Sequence, residues 1–203
     1  MESFRSVTAV AAPMMRINID TDQIIPTLFL GGTDAKGYGK HLFHHHRYLV
    51  GGAPNPDFIL NQPPYDRAQV LLADRNFGCG SSRERAPKAL REFGFRAVIA
   101  PSFGGIFFNN CWRNGMVPVE LPIEDVRAIV AEVEASGGKG EVTVDLEAQC
   151  VMSPGGKRYP FTSPETLRNM LLDGVDEIDL TLRRGDEIER FRDADRARRP
   201  WAY

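Results

Sequence analysis

At 203 residues, 42% of them hydrophobic, the chain is long enough to bury one sizeable core. Its formal net charge of −2 offers no global pull toward nucleic acid or anionic membrane. Three cysteines, Cys79, Cys111 and Cys150, form neither a CxxC pair nor a dense disulfide pattern, and no apolar run approaches membrane-spanning length or forms a signal core behind Met1-Glu2-Ser3-Phe4-Arg5; the expected compartment is a reducing cytoplasm, without membrane or nucleic-acid partners.

In chain order, residues 7–12 and Ile24-Ile25 are short β-prone segments. The stretch 31–67 differs in kind. It carries Gly31, Gly32, Gly37, Gly39, Gly51 and Gly52 along with Pro54, Pro56, Pro63 and Pro64, which predicts a long loop of functional use. All four histidines, His41, His44, His45 and His46, lie in it. His41 and His45 have the i, i+4 spacing of a helical zinc site but no Glu or Cys companion, so no metal is expected and a solvated or substrate-facing loop is the reading.

Residues 70–73, 97–100 and 117–121 read as buried strands, with a helix within 103–114 closed by Gly115. Strand alternating with helix is the α/β signature. Pro122 opens a further helix with Ile123, Val126, Ile129, Val130 and Val133 on one face and a stop at Ser136-Gly137-Gly138. Residues 141–146 alternate in period two, as a strand with one wet face does. Ser163-Pro164-Glu165 starts another helix that runs to Asp173-Gly174. The charge-dense tail from Asp186 reads as a solvated helix with a frayed end, or as a partner-docking segment.

The most informative stretch is Gly78-Cys79-Gly80-Ser81-Ser82-Arg83-Glu84-Arg85, between the apolar run 70–73 and a helical stretch ending at Gly94. Two hydroxyls and a guanidinium then stand at a strand-to-helix junction, where free N–H groups and the helix dipole favour a carboxylate or phosphate. The two glycines would let such a ligand approach the backbone closely. Ser81-x-x-Glu84 also fits a capping box, which needs no ligand. Pro87 belongs in a first helical turn, and a helix starting near Glu84 would leave Ser81, Ser82 and Arg83 free in the loop. Cys79 has no histidine nearby in sequence to activate it, and the loop lacks the terminal Gly-Lys-Ser/Thr of a P-loop.

This motif, with Asn18-Ile19-Asp20-Thr21-Asp22-Gln23-Ile24-Ile25-Pro26 before it and Ala100-Pro101-Ser102-Phe103-Gly104-Gly105-Ile106-Phe107 after it, resembles the bacterial 3-isopropylmalate dehydratase small-subunit family, the counterpart of the last domain of aconitase. The resemblance runs from about residue 5 to the C-terminus. It implies one swivelling β/β/α domain over residues 1–203, with a specificity loop around 31–67. The implied activity is hydro-lyase isomerisation of 2- and 3-isopropylmalate in leucine biosynthesis. The implied Lewis acid is a four-iron iron–sulfur cluster; with three dispersed cysteines this chain is expected to bind none, and the cluster falls to a separate large subunit.

Carried over by position, Ser81 matches the catalytic base, an alkoxide held by backbone N–H groups and Arg83. Arg83 matches the clamp on a substrate carboxylate, and Ser82 adds a hydrogen bond. Asp20, Thr21 and Asp22 match the N-terminal motif, as substrate contacts or as shapers of the loop. Three departures touch selectivity. Arg85 stands where the family usually has histidine; Ala35-Lys36-Gly37-Tyr38 replaces an Arg-Thr-Gly-Phe element, leaving Lys36 as the expected substrate contact; His45-His46-Arg47 replaces Asp-Trp-Arg. They keep open a paralogous hydratase for a citramalate- or dimethylmalate-type substrate and, from a different class, a non-catalytic anion-binding regulatory module.

Overall fold

The computed structural model describes residues 1–31 and 37–203. Strand β1 (Ser6–Met14) leads into a short helix α1 (Thr21–Ile24), and helix α2 (His44–Arg47) follows inside the long loop. Next come β2 (Val70–Ala73), α3 (Arg85–Phe93), β3 (Ala97–Ala100), α4 (Gly105–Arg113), β4 (Val117–Glu120) and α5 (Ile123–Ala135). The chain then forms β5 (Glu141–Asp145), β6 (Cys150–Met152), β7 (Arg158–Pro160), α6 (Glu165–Asp173), α7 (Glu177–Leu182) and α8 (Gly185–Arg198).

The strands form one sheet in the order β4-β3-β2-β1-β5-β6-β7. β1 is its pivot, parallel to β2 on one side and antiparallel to β5 on the other. Period-two alternation sorts the strand residues onto two cores. Leu71 and Ala73 of β2 and Val98 and Ala100 of β3 face α3, α4 and the long loop. Val70, Leu72, Ala97 and Ile99 face α5, β5 and β6. Because both faces are covered, β2 and β3 read as continuous apolar runs, whereas β5, between β1 and β6, alternates between buried and less buried residues. α5 buries Ile123, Val126, Ile129, Val130 and Val133, the face its sequence pattern predicts.

Four points differ from or add to these expectations. Ile24-Ile25 is not a strand: the Asp20 carboxylate accepts from Gln23 N at 2.7 Å and caps α1, leaving only Ile25 extended. Strands β6 and β7 and helix α7 were not legible, since three residues give no period to detect and α7 buries none of its own. The tail is not frayed at its end. Arg198, Arg199 and Tyr203 all donate to Asp195 at 2.6–3.1 Å, folding the terminus back on α8. The long loop does carry mostly irregular chain, but Leu42, Phe43 and Leu60 pin its described part into the core.

The histidines lie in that packed loop. Burial, foremost, holds His41, His44 and His46 below the usual imidazole pKa, so the folded chain binds these protons less readily than the unfolded one. Their stabilisation is therefore complete above the unfolded value of about 6.5 and is lost as pH falls below it. The urea midpoint of the isolated chain is expected to be lower at pH about 5.5 than at about 7.5, and His46→Gln to remove part of the difference. Identical midpoints at the two pH values would contradict this.

Candidate active site

Three loops meet at the C-terminal ends of the parallel strands, where open α/β sheets place their ligands. The segment after β1 receives a hydrogen bond from Gly78 N to Ile19 O (2.7 Å), and Thr21 N donates to Cys79 O (2.9 Å). On the other side Phe77 N donates to Ser102 O (3.1 Å) and Gly104 N to Phe77 O (2.9 Å). The glycine-serine loop is thus stitched along both margins like a short extra strand, pairing at Asp20–Cys79 and Phe77–Phe103.

Gly78 and Gly80 both have left-handed backbone, with φ of 71° and 89°, but only one serves the role expected of it. A Cβ on Gly78 would land inside the buried ring of Phe107, and one on Gly104 inside the Gly78 carbonyl. These two glycines exist for close packing of the loop on α4. Gly80 is exposed and would meet nothing nearer than Asp20 Cβ at 3.4 Å, so it alone keeps the backbone open to a ligand.

The capping box does not form. α3 starts at Arg85, and Glu84, which caps it, makes no side-chain cap hydrogen bond. Ser81 and Ser82 therefore lie in the loop, exposed, with Pro87 in the first helical turn. The Ser81 carbonyl accepts from Thr21 Oγ1 at 2.9 Å, which fixes the backbone while leaving the hydroxyl outward. Among the described residues, the backbone N–H groups of Ser81, Ser82 and Arg83 have no hydrogen-bond partner.

Arg83 is aimed from behind. Its Nη1 pairs with the Asp22 carboxylate and donates to Ile25 O at 3.0 Å. Asp22 also accepts from Thr27 N and Oγ1, both at 3.0 Å. The Arg83 hydrogen bond, first, holds the Asp22 carboxyl below the usual carboxylate range. Asp20, Thr21 and Asp22 therefore each have a partner within the chain: one caps α1, one ties the Ser81 backbone, one locks the guanidinium. Lys36 lies outside the described residues.

Cys79 is no activated nucleophile, since burial first and the Asp20 charge second raise its thiol pKa. The His41–His45 pair does not share a helix; His41 ends a turn, Tyr38–His41, and stacks on Phe29 with centroids 3.8 Å apart. An iron–sulfur cluster does not fit this chain's donors. Cys111 is wholly buried in one core, Cys150 is buried on β6, and among the described residues no three His, Cys, Asp or Glu converge on a metal-sized space.

Two departures from the family pattern meet at one contact. Arg85 Nε donates to the hydroxyl of the buried Tyr38 at 3.0 Å, which ties the arginine to the long loop. His46 stacks on Phe58, and Arg47 bonds Asn61 Oδ1 (3.1 Å) and Gly39 O (3.3 Å). Sequence reasoning missed the clasp beneath the loop. Asn18 and Asn76 both adopt left-handed φ (56° and 61°) and are joined Nδ2 to Oδ1 at 2.8 Å, and Asn76 N donates to Ser102 Oγ at 2.9 Å. Asparagine at such a φ is the one signal the sequence held.

Residues 1–124 match the family model of the aconitase C-terminal domain, and residues 127–162 match a second model, LeuD_N. The chain is 48% identical over 212 residues to a 3-isopropylmalate dehydratase small subunit from Neisseria meningitidis serogroup C, and 51% identical over 205 residues to one from Cupriavidus necator; each match spans 100% of this chain and 99% of the relative. A solved structure of 3-isopropylmalate dehydratase from Methanocaldococcus jannaschii has a TM-score of 0.64 at 25% identity, covering 91% of this chain and 99% of that one. Fold and serine loop together define an aconitase-type domain of the hydro-lyase class. Within that class the chain belongs to the 3-isopropylmalate dehydratase small-subunit family.

Proposed function

We propose that this chain is the swivelling half of a cytoplasmic isopropylmalate isomerase of leucine biosynthesis, and that Ser81 and Arg83 act on a hydroxy-dicarboxylate held against a large subunit. The observation that carries this reading is the outward Ser81 hydroxyl on a backbone fixed by Thr21, next to an arginine fixed by Asp22. The four-iron cluster belongs to the large subunit, because the cysteines here do not fit it. No helix of the described chain is long and apolar enough to cross a membrane.

Ser81 takes the proton from the carbon beside a carboxylate while hydroxide leaves the neighbouring carbon. Water then adds back across the double bond with the positions exchanged. A serine hydroxyl is too weak an acid to do this in water, so the free N–H groups of residues 81–83 and the Arg83 guanidinium hold the alkoxide once the partner has excluded solvent. The Arg83 fork binds the adjacent carboxylate, and Ser82 adds a hydrogen bond. Asp20, Thr21 and Asp22 position these groups. The chain works as one domain, with loop 31–67, Lys36 included, choosing the substrate. Arg85 donates to the Tyr38 hydroxyl and His46 stacks on Phe58, which supports the isopropylmalate reading at these two departures.

The test is reconstitution. The isolated chain is expected to show no hydro-lyase turnover, and addition of a cluster-loaded large subunit to produce turnover of 3-isopropylmalate. Turnover by the isolated chain would overturn the two-subunit reading. A reconstituted enzyme whose kcat/KM for citramalate or dimethylmalate exceeds that for 3-isopropylmalate would overturn the substrate.

A further inference from the structure

The C-terminal helices carry features the catalytic loop does not use. α7 and α8 leave Ile178, Leu182, Ile188 and Phe191 exposed, with Phe191 65% and the following Trp201 79% open. A cleft of about 610 Å³ lies along the pair, lined by Leu180, Thr181, Arg184, Glu187, Ile188 and Phe191. α8 packs mainly on the turn that follows it. A helix of this length is marginal in water without a packing partner, and a contiguous apolar surface of this kind marks an interaction site.

Chemistry narrows the occupant to a protein. From Asp176 to Tyr203 there is no lysine; arginines are interspersed with carboxylates around Phe191, and Trp201 and Tyr203 follow Arg196, Arg198 and Arg199. Trp, Tyr and Arg are the residue types that anchor protein interfaces. A helix made for a membrane surface or a nucleic acid would instead show an unbroken basic face.

The extent of the matches narrows it further. The aconitase-domain model ends at residue 124 and the second model at 162, so the tail lies beyond both, yet the small-subunit relatives align over 100% of the chain. The tail thus accompanies the separate subunit and not the shared domain, and a separate subunit needs a non-covalent hold on its partner. Its root also suits such a hold. The Met1 amine donates to Gly174 O at 2.8 Å and Phe4 N to Leu171 O at 3.0 Å, residues that precede β1. The serine loop follows β2, which runs parallel to β1, so root and mouth sit at opposite ends of these two strands. Resting on the small-subunit reading above, we infer that residues 176–203 are the grip by which this chain holds its large subunit, a grip that does not itself cover the Ser81 mouth.

The test is the affinity of full-length chain for the large subunit by isothermal titration calorimetry, with the melting curve of the isolated chain as a check on folding. Phe191→Glu and, at the exposed end, Trp201→Ala are each expected to raise Kd by about 30-fold or more, as loss of a buried aromatic anchor does, and Phe191→Leu by much less. Two folded variants that bind within about threefold of the unmodified chain would overturn the inference. So would a dimer of the isolated chain that Phe191→Glu dissociates, because the face would then belong to a second copy. The readout needs no turnover, so failure of the role assigned to Ser81 and failure of the grip are seen separately.

Discussion

Ser81→Ala is expected to lower the turnover of the reconstituted enzyme by about 10² to 10⁴, the range removed with a positioned general base. The hydroxyl faces outward, the capping box is absent, and the loop backbone is held by the Ser81 carbonyl, which alanine retains. The urea midpoint of the isolated chain should therefore stay where it is. Arg83→Lys serves as the companion measurement. A lysine keeps the charge but loses the fork that Asp22 and Ile25 aim, so the loss of roughly 1.5 to 3 kcal/mol for a charged hydrogen bond should fall on kcat/KM. Full activity in Ser81→Ala, together with about 1 kcal/mol of lost stability, would make Ser81 a cap and remove it from the chemistry.

Gly78→Ala is expected to be the most damaging small substitution in the loop. An alanine at φ 71° meets the left-handed penalty of roughly 1–2 kcal/mol. Its Cβ also lands in the Phe107 ring, an overpacking worth about 1–3 kcal/mol more. The ring cannot retreat, because it is buried and packed against Phe77 and Phe103, with centroids 5.4 and 6.3 Å away. Urea unfolding of the isolated chain should show a loss of about 2–5 kcal/mol for Gly78→Ala. Gly80→Ala, with a similar φ but room for its Cβ, should lose only the conformational part. Equal losses at the two positions would mean that conformation alone, and not the fit against α4, demands glycine at 78.

Much of the fold was legible because both periods were present. The runs 70–73 and 97–100 are buried on both faces, α5 shows its apolar stripe, and β5 alternates. Ile24-Ile25 misled because β-branched residues favour strands only until a cap such as Asp20 outweighs them. The serine loop was legible by composition, as hydroxyls, guanidinium and glycines at a strand-to-helix junction.

The sequence by itself determined that Ser81, Ser82 and Arg83 lie together before a helix, since that follows from local spacing and from Pro87. It could not say that Gly78 answers to Phe107, that Asp22 aims Arg83 from 61 residues away, or that Arg85 bonds Tyr38 across 47 residues. Those pairings depend on how β1, β2 and β3 bring their following loops together at the C-terminal ends of the strands. Contacts between residues far apart in the chain leave no periodic trace, so only the tertiary structure decided them.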